Sequence, residues 1–144
     1  MTGTRLRPMR QDHDLEVLLR TPIHEHMGLR EAEPGNPDAG LMLVCERPIA
    51  NNSLMLHGGM IATSIDCAAA YAMFPTLSDD EVIMTSSLSI SYMRPVPIGS
   101  EVRIRAEIVR RGRNTAFLTV TVRVGEKLIA TAQIVKSIVH LDED

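Results

Sequence analysis

In the second half of the chain apolar and polar residues alternate. In residues 101–109, Val102, Ile104, Ala106 and Ile108 interleave with Glu101, Arg103, Arg105 and Glu107, and further on Leu118, Val120, Val122 and Val124 share one face. A period of two belongs to strands with one buried and one wet face. The short breaks RPVPIG, RRGRN and GEK between these runs predict an antiparallel meander of four strands, roughly 82–93, 101–109, 115–124 and 128–139.

The first half reads differently. Leu15, Leu18 and Leu19 fall on one face of a short helix behind a capping Asp12. After Pro22, IHEHMGLREAE reads as a strand, PGNPDAG breaks it, and LMLVCER makes a second strand that ends at Pro48. The segment IANNSLML, polar in its middle, carries the chain to His57.

From Gly58 to about Phe74 the period changes to that of a helix, stopped by Pro75. Ile61, Ile65, Ala68 and Ala72 form one line, Ala62, Asp66, Ala69 and Met73 the next, and Met60, Ser64, Cys67 and Tyr71 a third, so no face is polar. Such a helix is buried, and a five- or six-stranded antiparallel sheet is the only partner here large enough to wrap it. The fold class is therefore α+β. Asp66 is the one formal charge between Gly58 and Pro75. Unpaired in a core it would cost several kcal/mol or shift its pKa, so it needs a partner, water or a substrate.

Composition narrows the function. The chain has 144 residues, 44% hydrophobic and 23% charged, which predicts a single domain over 1–144 with residues 1–22 as an N-terminal helical segment. A net charge of −3 and 3% aromatic residues argue against nucleic acid. There is no apolar run of 18 residues for a membrane span and no signal-like apolar segment near the start, so a cytoplasmic protein is expected. Cys45 and Cys67, both in apolar surroundings, are expected to be reduced.

The chemistry gathers around the long helix. Gly58 and Gly59 at its start carry no side chains to block approach, and their N–H groups lie at the positive end of the helix dipole, where developing negative charge is stabilised. Asp66 lies two turns on, roughly 12 Å away at 1.5 Å per residue. One helix cannot bring both to one carbonyl, whereas a symmetric neighbour presenting its own Asp66 could.

The series Asn51, His57-Gly58-Gly59, Asp66, Thr85, SYMRPV at 91–96 and GEKLIATAQ at 125–133 resembles the hotdog-fold acyl-CoA thioesterases of the PaaI type, over about residues 27–139. One position departs: the family usually has glycine three residues before the histidine, and this chain has Leu54. The resemblance implies an antiparallel sheet wrapped around one long helix, subunits paired edge to edge into dimers and further into a homotetramer, and composite active sites. It implies that Gly58 polarises the thioester carbonyl and that Asn51, placed by His57, orients substrate or water. The partner's Asp66 would act as nucleophile or general base, with the partner's Thr85 as a hydrogen-bonding auxiliary. The substrate would be an aromatic or medium-chain acyl-CoA, with coenzyme A part of the substrate and no cofactor. A hydratase or dehydratase on the same fold, and a non-catalytic acyl-CoA-binding module, are the alternatives.

Plainer roles exist for the same residues. Asp66 can be a structural acid bonded to backbone or Thr63, His57 can pack or bond at the helix start, and Asn51 can be a turn residue. On a strict strand period Thr85 shares a polar face with Ser87, Ser89 and Ser91. Arg111 and Arg113, with Arg110 around Gly112, form either a solvated tip or a site for the phosphates of coenzyme A, for which Arg94 is a second candidate. His24 and His26 would project from one side of a strand and could take a metal with His13, but nothing orients them and no metal is assigned.

Overall fold

The computed structural model describes residues 10–141, so residues 1–9 of the expected N-terminal segment lie outside it. The first helix is α1 (Leu15–Leu19), and its cap is Asp14 rather than Asp12. The Asp14 carboxylate accepts from the N–H groups of Glu16 and Val17 at 2.8 and 3.1 Å, while Asp12 accepts from the N–H of Asp14. The segment expected as a strand after Pro22 is a second helix, α2 (Pro22–Met27). Pro22 occupies its first position, where a missing N–H costs nothing, and Gly28 ends it at φ 68°. Only β1 (Arg30–Glu31) remains of that strand, followed by β2 (Leu41–Val44).

The long helix is α3 (Gly58–Met73), and it runs into a 3-10 turn over Phe74–Thr76. Four strands follow: β3 (Glu81–Tyr92), β4 (Glu101–Arg111), β5 (Thr115–Val124) and β6 (Lys127–His140). All neighbouring pairs are antiparallel, in the order β1-β2-β4-β5-β6-β3. The expected four-strand meander is thus corrected to three: β3 pairs with β6, and residues 93–100 cross over to β4 instead of turning a hairpin. That crossover is tied to the loop before α3, with the Leu56 N–H donating to the Val96 carbonyl at 2.7 Å and the Ile98 N–H to the Leu54 carbonyl at 3.1 Å.

The alternating residues do what their period implies. Val102, Ile104, Leu118, Val120, Val122, Ile134 and Ile138 are buried with Ile61, Ile65, Ala68, Ala69 and Met73 of the helix. Full burial of one such Ile or Leu is worth about 1.5–3 kcal/mol. Ala68 and Ala69 let the sheet approach the helix closely. The helix is not sealed on every side, however: Gly59 is exposed, and Ala62, Thr63, Asp66 and Ala70 are half-buried along one stripe.

A bulge in β3 decides which residues join that stripe. Thr85 pairs with Lys136 and Ser87 with Val135, which leaves Ser86 as the extra residue. The bulge reverses the phase of the strand. Ser87, Ser89 and Ser91 stay on the outer face opposite Val135, Gln133 and Thr131, while Thr85 turns inward with Ile83, opposite Lys136. Thr85 therefore does not belong to the polar face that strict alternation assigns it.

Candidate active site

The start of α3 is built by its own histidine. His57 is the N-cap, and its Nδ1 accepts from the Gly59 N–H at 2.9 Å, so the ring proton sits on Nε2. A Cβ on Gly59 would lie 3.0 Å from that Nδ1, so a larger residue there would push the ring aside by a few tenths of an ångström. Gly58 differs. A Cβ there would meet only the Tyr92 ring, at an ordinary 3.7 Å, so the fold itself does not demand glycine. The Gly58 N–H is the first of the helix and has no acceptor among the described residues. The Tyr92 hydroxyl donates to the Gly58 carbonyl at 2.9 Å, and the ring flanks the helix start.

Asn51 shapes the loop in front. Its Oδ1 accepts from the N–H groups of Ser53 and Met55 at 2.9 and 3.1 Å, which makes it a turn residue and leaves its amide NH2 without a described partner. The side chain is held by these backbone groups and not by His57, whose Nδ1 is engaged with Gly59. Leu54 has φ 59°, the one left-handed non-glycine residue described, and it is 50% exposed. The loop thus keeps a glycine-like bend at the position where the sequence departs from glycine, at a cost of about 1 kcal/mol.

Asp66 has the partner its location requires. The Lys136 ammonium donates to Asp66 Oδ1 at 2.8 Å and to Thr85 Oγ1 at 2.7 Å, and the Thr85 hydroxyl donates to the same Oδ1 at 2.5 Å. Neither the backbone nor Thr63, whose hydroxyl donates to the Gly59 carbonyl, holds this acid. Burial by itself would raise the Asp66 pKa. The hydrogen bonds from Lys136 and Thr85, aided by the Lys136 charge and by His24, outweigh burial and keep the carboxyl below its ordinary value. Next to it, burial and the Asp66 charge push the Cys67 thiol up to about 12, so it is no nucleophile at neutral pH.

Lys136 was not anticipated from the sequence, although it had a signal. It falls on the inward phase of β6 between Ile134 and Ile138, where a charge is as conspicuous as Asp66 on the helix. Tyr92 belongs to the SYMRPV motif, and its contact with Gly58 needs the three-dimensional fold.

The arginines separate. Arg111 is not free for a phosphate: it forms an ion pair with Glu81, whose side chain is 9% exposed, and donates to the Gly112 carbonyl. That turn lies at the far end of α3, whose 16 residues span about 24 Å from Gly58. Arg113 is exposed in the same turn. Arg94 instead borders a groove of about 430 Å³ with Pro95, Pro97, Ser100, Val124, Lys127 and Ile129. It follows Tyr92 by two residues, so it lies at the Gly58 end of the helix. His24 and His26 sit on helix α2 rather than on one side of a strand, and His24 Nδ1 lies 2.8 Å from the Leu18 carbonyl.

Comparison with known proteins identifies the family. Residues 55–131, more than half of the chain, match the model of the Thioesterase superfamily. The chain belongs to that superfamily, and its fold is the hotdog fold. It is 34% identical over 94 residues to acyl-coenzyme A thioesterase 13 of Mus musculus, covering 61% of this chain and 66% of that protein. It spans between 37% and 66% of the length of the first three curated relatives. Among solved structures, a phenylacetic acid degradation-related putative thioesterase from Ralstonia eutropha JMP134 superposes with a TM-score of 0.70 at 26% identity, over 85% of this chain and 98% of that one. A protein from Bacillus halodurans solved with CoA superposes at 0.65 and 26% identity, over 69% and 70% of the two chains.

Proposed function

We propose that this protein hydrolyses the thioester bond of an aromatic or medium-chain acyl-CoA to the free acid and CoA. It works as a homodimer in which each site joins Asn51 and Gly58 of one subunit to Asp66 of the other. The observation that carries this reading is the division of labour along α3. His57 takes the Gly59 N–H and leaves the Gly58 N–H open at the positive end of the helix, while Asp66 stands charged and partly exposed two turns away.

The chemistry follows from those groups. The Gly58 N–H donates to the thioester oxygen as negative charge grows on it, and the Asn51 amide NH2 orients water or substrate. The partner's Asp66 either takes a proton from water as it attacks the carbonyl carbon or attacks that carbon itself, with the anhydride then opened by water. In both routes the carbon–sulfur bond breaks, water supplies the new oxygen, and CoA leaves as the thiol. No metal or redox cofactor is required by either.

Pairing through β3 supports the dimer. Among the described residues this strand of 12 residues has one strand neighbour, β6; on its other edge the Gln11 side chain bonds the N–H and carbonyl of Ile83, and no strand covers the rest of that edge. On this strand Leu88, 36% exposed, lies on the inner face opposite Ile134, and Met84, 58% exposed, lies on the outer face. Val109 and Phe117, 66% and 46% exposed on β4 and β5, offer a second surface through which two dimers would form a homotetramer. The groove between Arg94 and Lys127 suits the phosphates of CoA, with its prolines, Val124 and Ile129 as an apolar floor. Arg113 would reach substrate only across the dimer. No helix among the described residues is long and apolar enough to cross a membrane. The buried free thiols of Cys45 and Cys67 favour work in the cytoplasm.

Thiol release from a panel of acyl-CoAs tests the reading. Release by the parent and a loss of about 10²–10⁴-fold in Asp66→Asn support hydrolysis. Water addition to an enoyl-CoA without thiol release would instead assign a hydratase, and binding without turnover a sensor.

A further inference from the structure

Lys136 is 4% exposed, and an ammonium so placed persists only with close anionic or polar partners. It has two, Asp66 Oδ1 and Thr85 Oγ1. Because an ammonium only donates, the Thr85 hydroxyl must accept from it and give its single proton to Asp66. The three groups close a ring in which every described bond to Asp66 ends on Oδ1. No described residue reaches Oδ2, and the Asp66 side chain is 47% exposed.

We propose that Lys136 is a positioning residue for the reaction: together with Thr85 it clamps Oδ1 of Asp66, so that Oδ2 is presented, charged and in one orientation, to the thioester or the attacking water. This rests on the hydrolase reading for its catalytic meaning. The clamp itself is a property of the folded chain. Among the described residues four groups act on the carboxylate: Lys136 from β6 and Thr85 from β3 bond it, and His24 from α2 and Cys67 on its own helix lie near enough to interact with its charge. Of these, only Lys136 combines a charge with a hydrogen bond to it. Without Lys136 the burial of Asp66 is opposed mainly by one hydroxyl, and the carboxyl should take up its proton at higher pH.

Lys136→Gln and Lys136→Met, with Thr85→Val and Thr85→Ser, are compared with the parent in two ways. The first is the pH profile of kcat/KM on an acyl-CoA. The acidic limb should move up by about one pH unit or more in the Lys136 variants, by less in Thr85→Val and not at all in Thr85→Ser, with kcat lowered and KM little changed. The second is the titration of the Asp66 carboxyl carbon by NMR, which needs no turnover and should move in the same order. Acidic limbs and NMR midpoints unchanged from the parent in the Lys136 variants would overturn the proposal, whatever happened to melting temperature. If neither Lys136 variant folds, a parent midpoint at or above about 3.9, the ordinary aspartate value, would also overturn it. A parent that turns over no acyl-CoA would sink the hydrolase reading, while the NMR midpoints would still decide the clamp.

Discussion

Gly58 and Asp66 stand eight residues apart on one unbroken helix, about 12 Å along its axis, too far to meet at one thioester carbonyl. The open Gly58 N–H and the clamped carboxylate are therefore halves of two different sites in the proposed dimer.

Gly58→Ala separates the needs of the fold from those of the chemistry. The added methyl meets only the Tyr92 ring at ordinary contact distance, and alanine is the better helix former, so the melting temperature should hold or rise. Activity should fall at least 10-fold, because the methyl stands where the thioester must approach the N–H. A variant as active as the parent would mean that substrate does not use this peptide.

Leu54→Gly should not show the usual cost of replacing leucine by glycine. Relief of about 1 kcal/mol of left-handed strain offsets the added freedom of the unfolded chain, so stability should change by less than about 1 kcal/mol. Leu54→Val should lose about 1 kcal/mol or more, since a branched Cβ tolerates this backbone worse. Thermal melts of the two variants give the comparison.

Arg111→Ala should act on stability rather than on substrate affinity. It leaves the buried Glu81 carboxylate without its ion-pair partner, a loss of roughly 1–3 kcal/mol. KM for acyl-CoA should stay near that of the parent. Arg94→Ala combined with Lys127→Ala should do the reverse, raising KM more than it lowers kcat, because phosphate contacts hold ground and transition states alike.

Stability should fall on the acid side. Burial pushes the pKa of both Asp66 and Glu81 up, but Lys136 and Thr85 at the first, and Ser78 and Arg111 at the second, pull both below their ordinary values. Groups depressed in the folded state contribute stability above their unfolded values, near 4, and lose it as pH falls through the folded values. The melting temperature should thus be flat from about pH 7 to 5 and drop below about pH 4, and Asp66→Asn should remove part of the drop.

The sequence was most legible where one periodicity ran unbroken. Residues 58–73 and the alternation in β4 and β5 are local signals, and packing reinforced them. The segment after Pro22 misled because IHEHM is too short for a period to emerge, and the deciding features were the terminal ones, Pro22 and Gly28. The pairing of β3 with β6 is a non-local choice that no turn sequence records. Thr85 could be named from its place in the family pattern, but its inward direction depends on one extra residue, Ser86, which period counting cannot see. Lys136 could have been noticed by the rule that singled out Asp66, a lone charge on an inward face. Arg111 looked free because its partner, Glu81, is 30 residues away in sequence.

Mixed dimers test the shared site most directly. Gly58→Ala and Asp66→Asn should each be poorly active alone, yet in a mixed dimer one site carries both defects and the other neither. Co-refolded in equal amounts, half of the randomly paired dimers are mixed, each with one intact site of two, so about a quarter of parental activity should return. Asp66→Asn mixed with Thr85→Val should show no such return, since both residues come from the same subunit. No recovery in the first mixture, with subunit exchange confirmed by mass, would contradict the account and place Gly58 and Asp66 in separate functions.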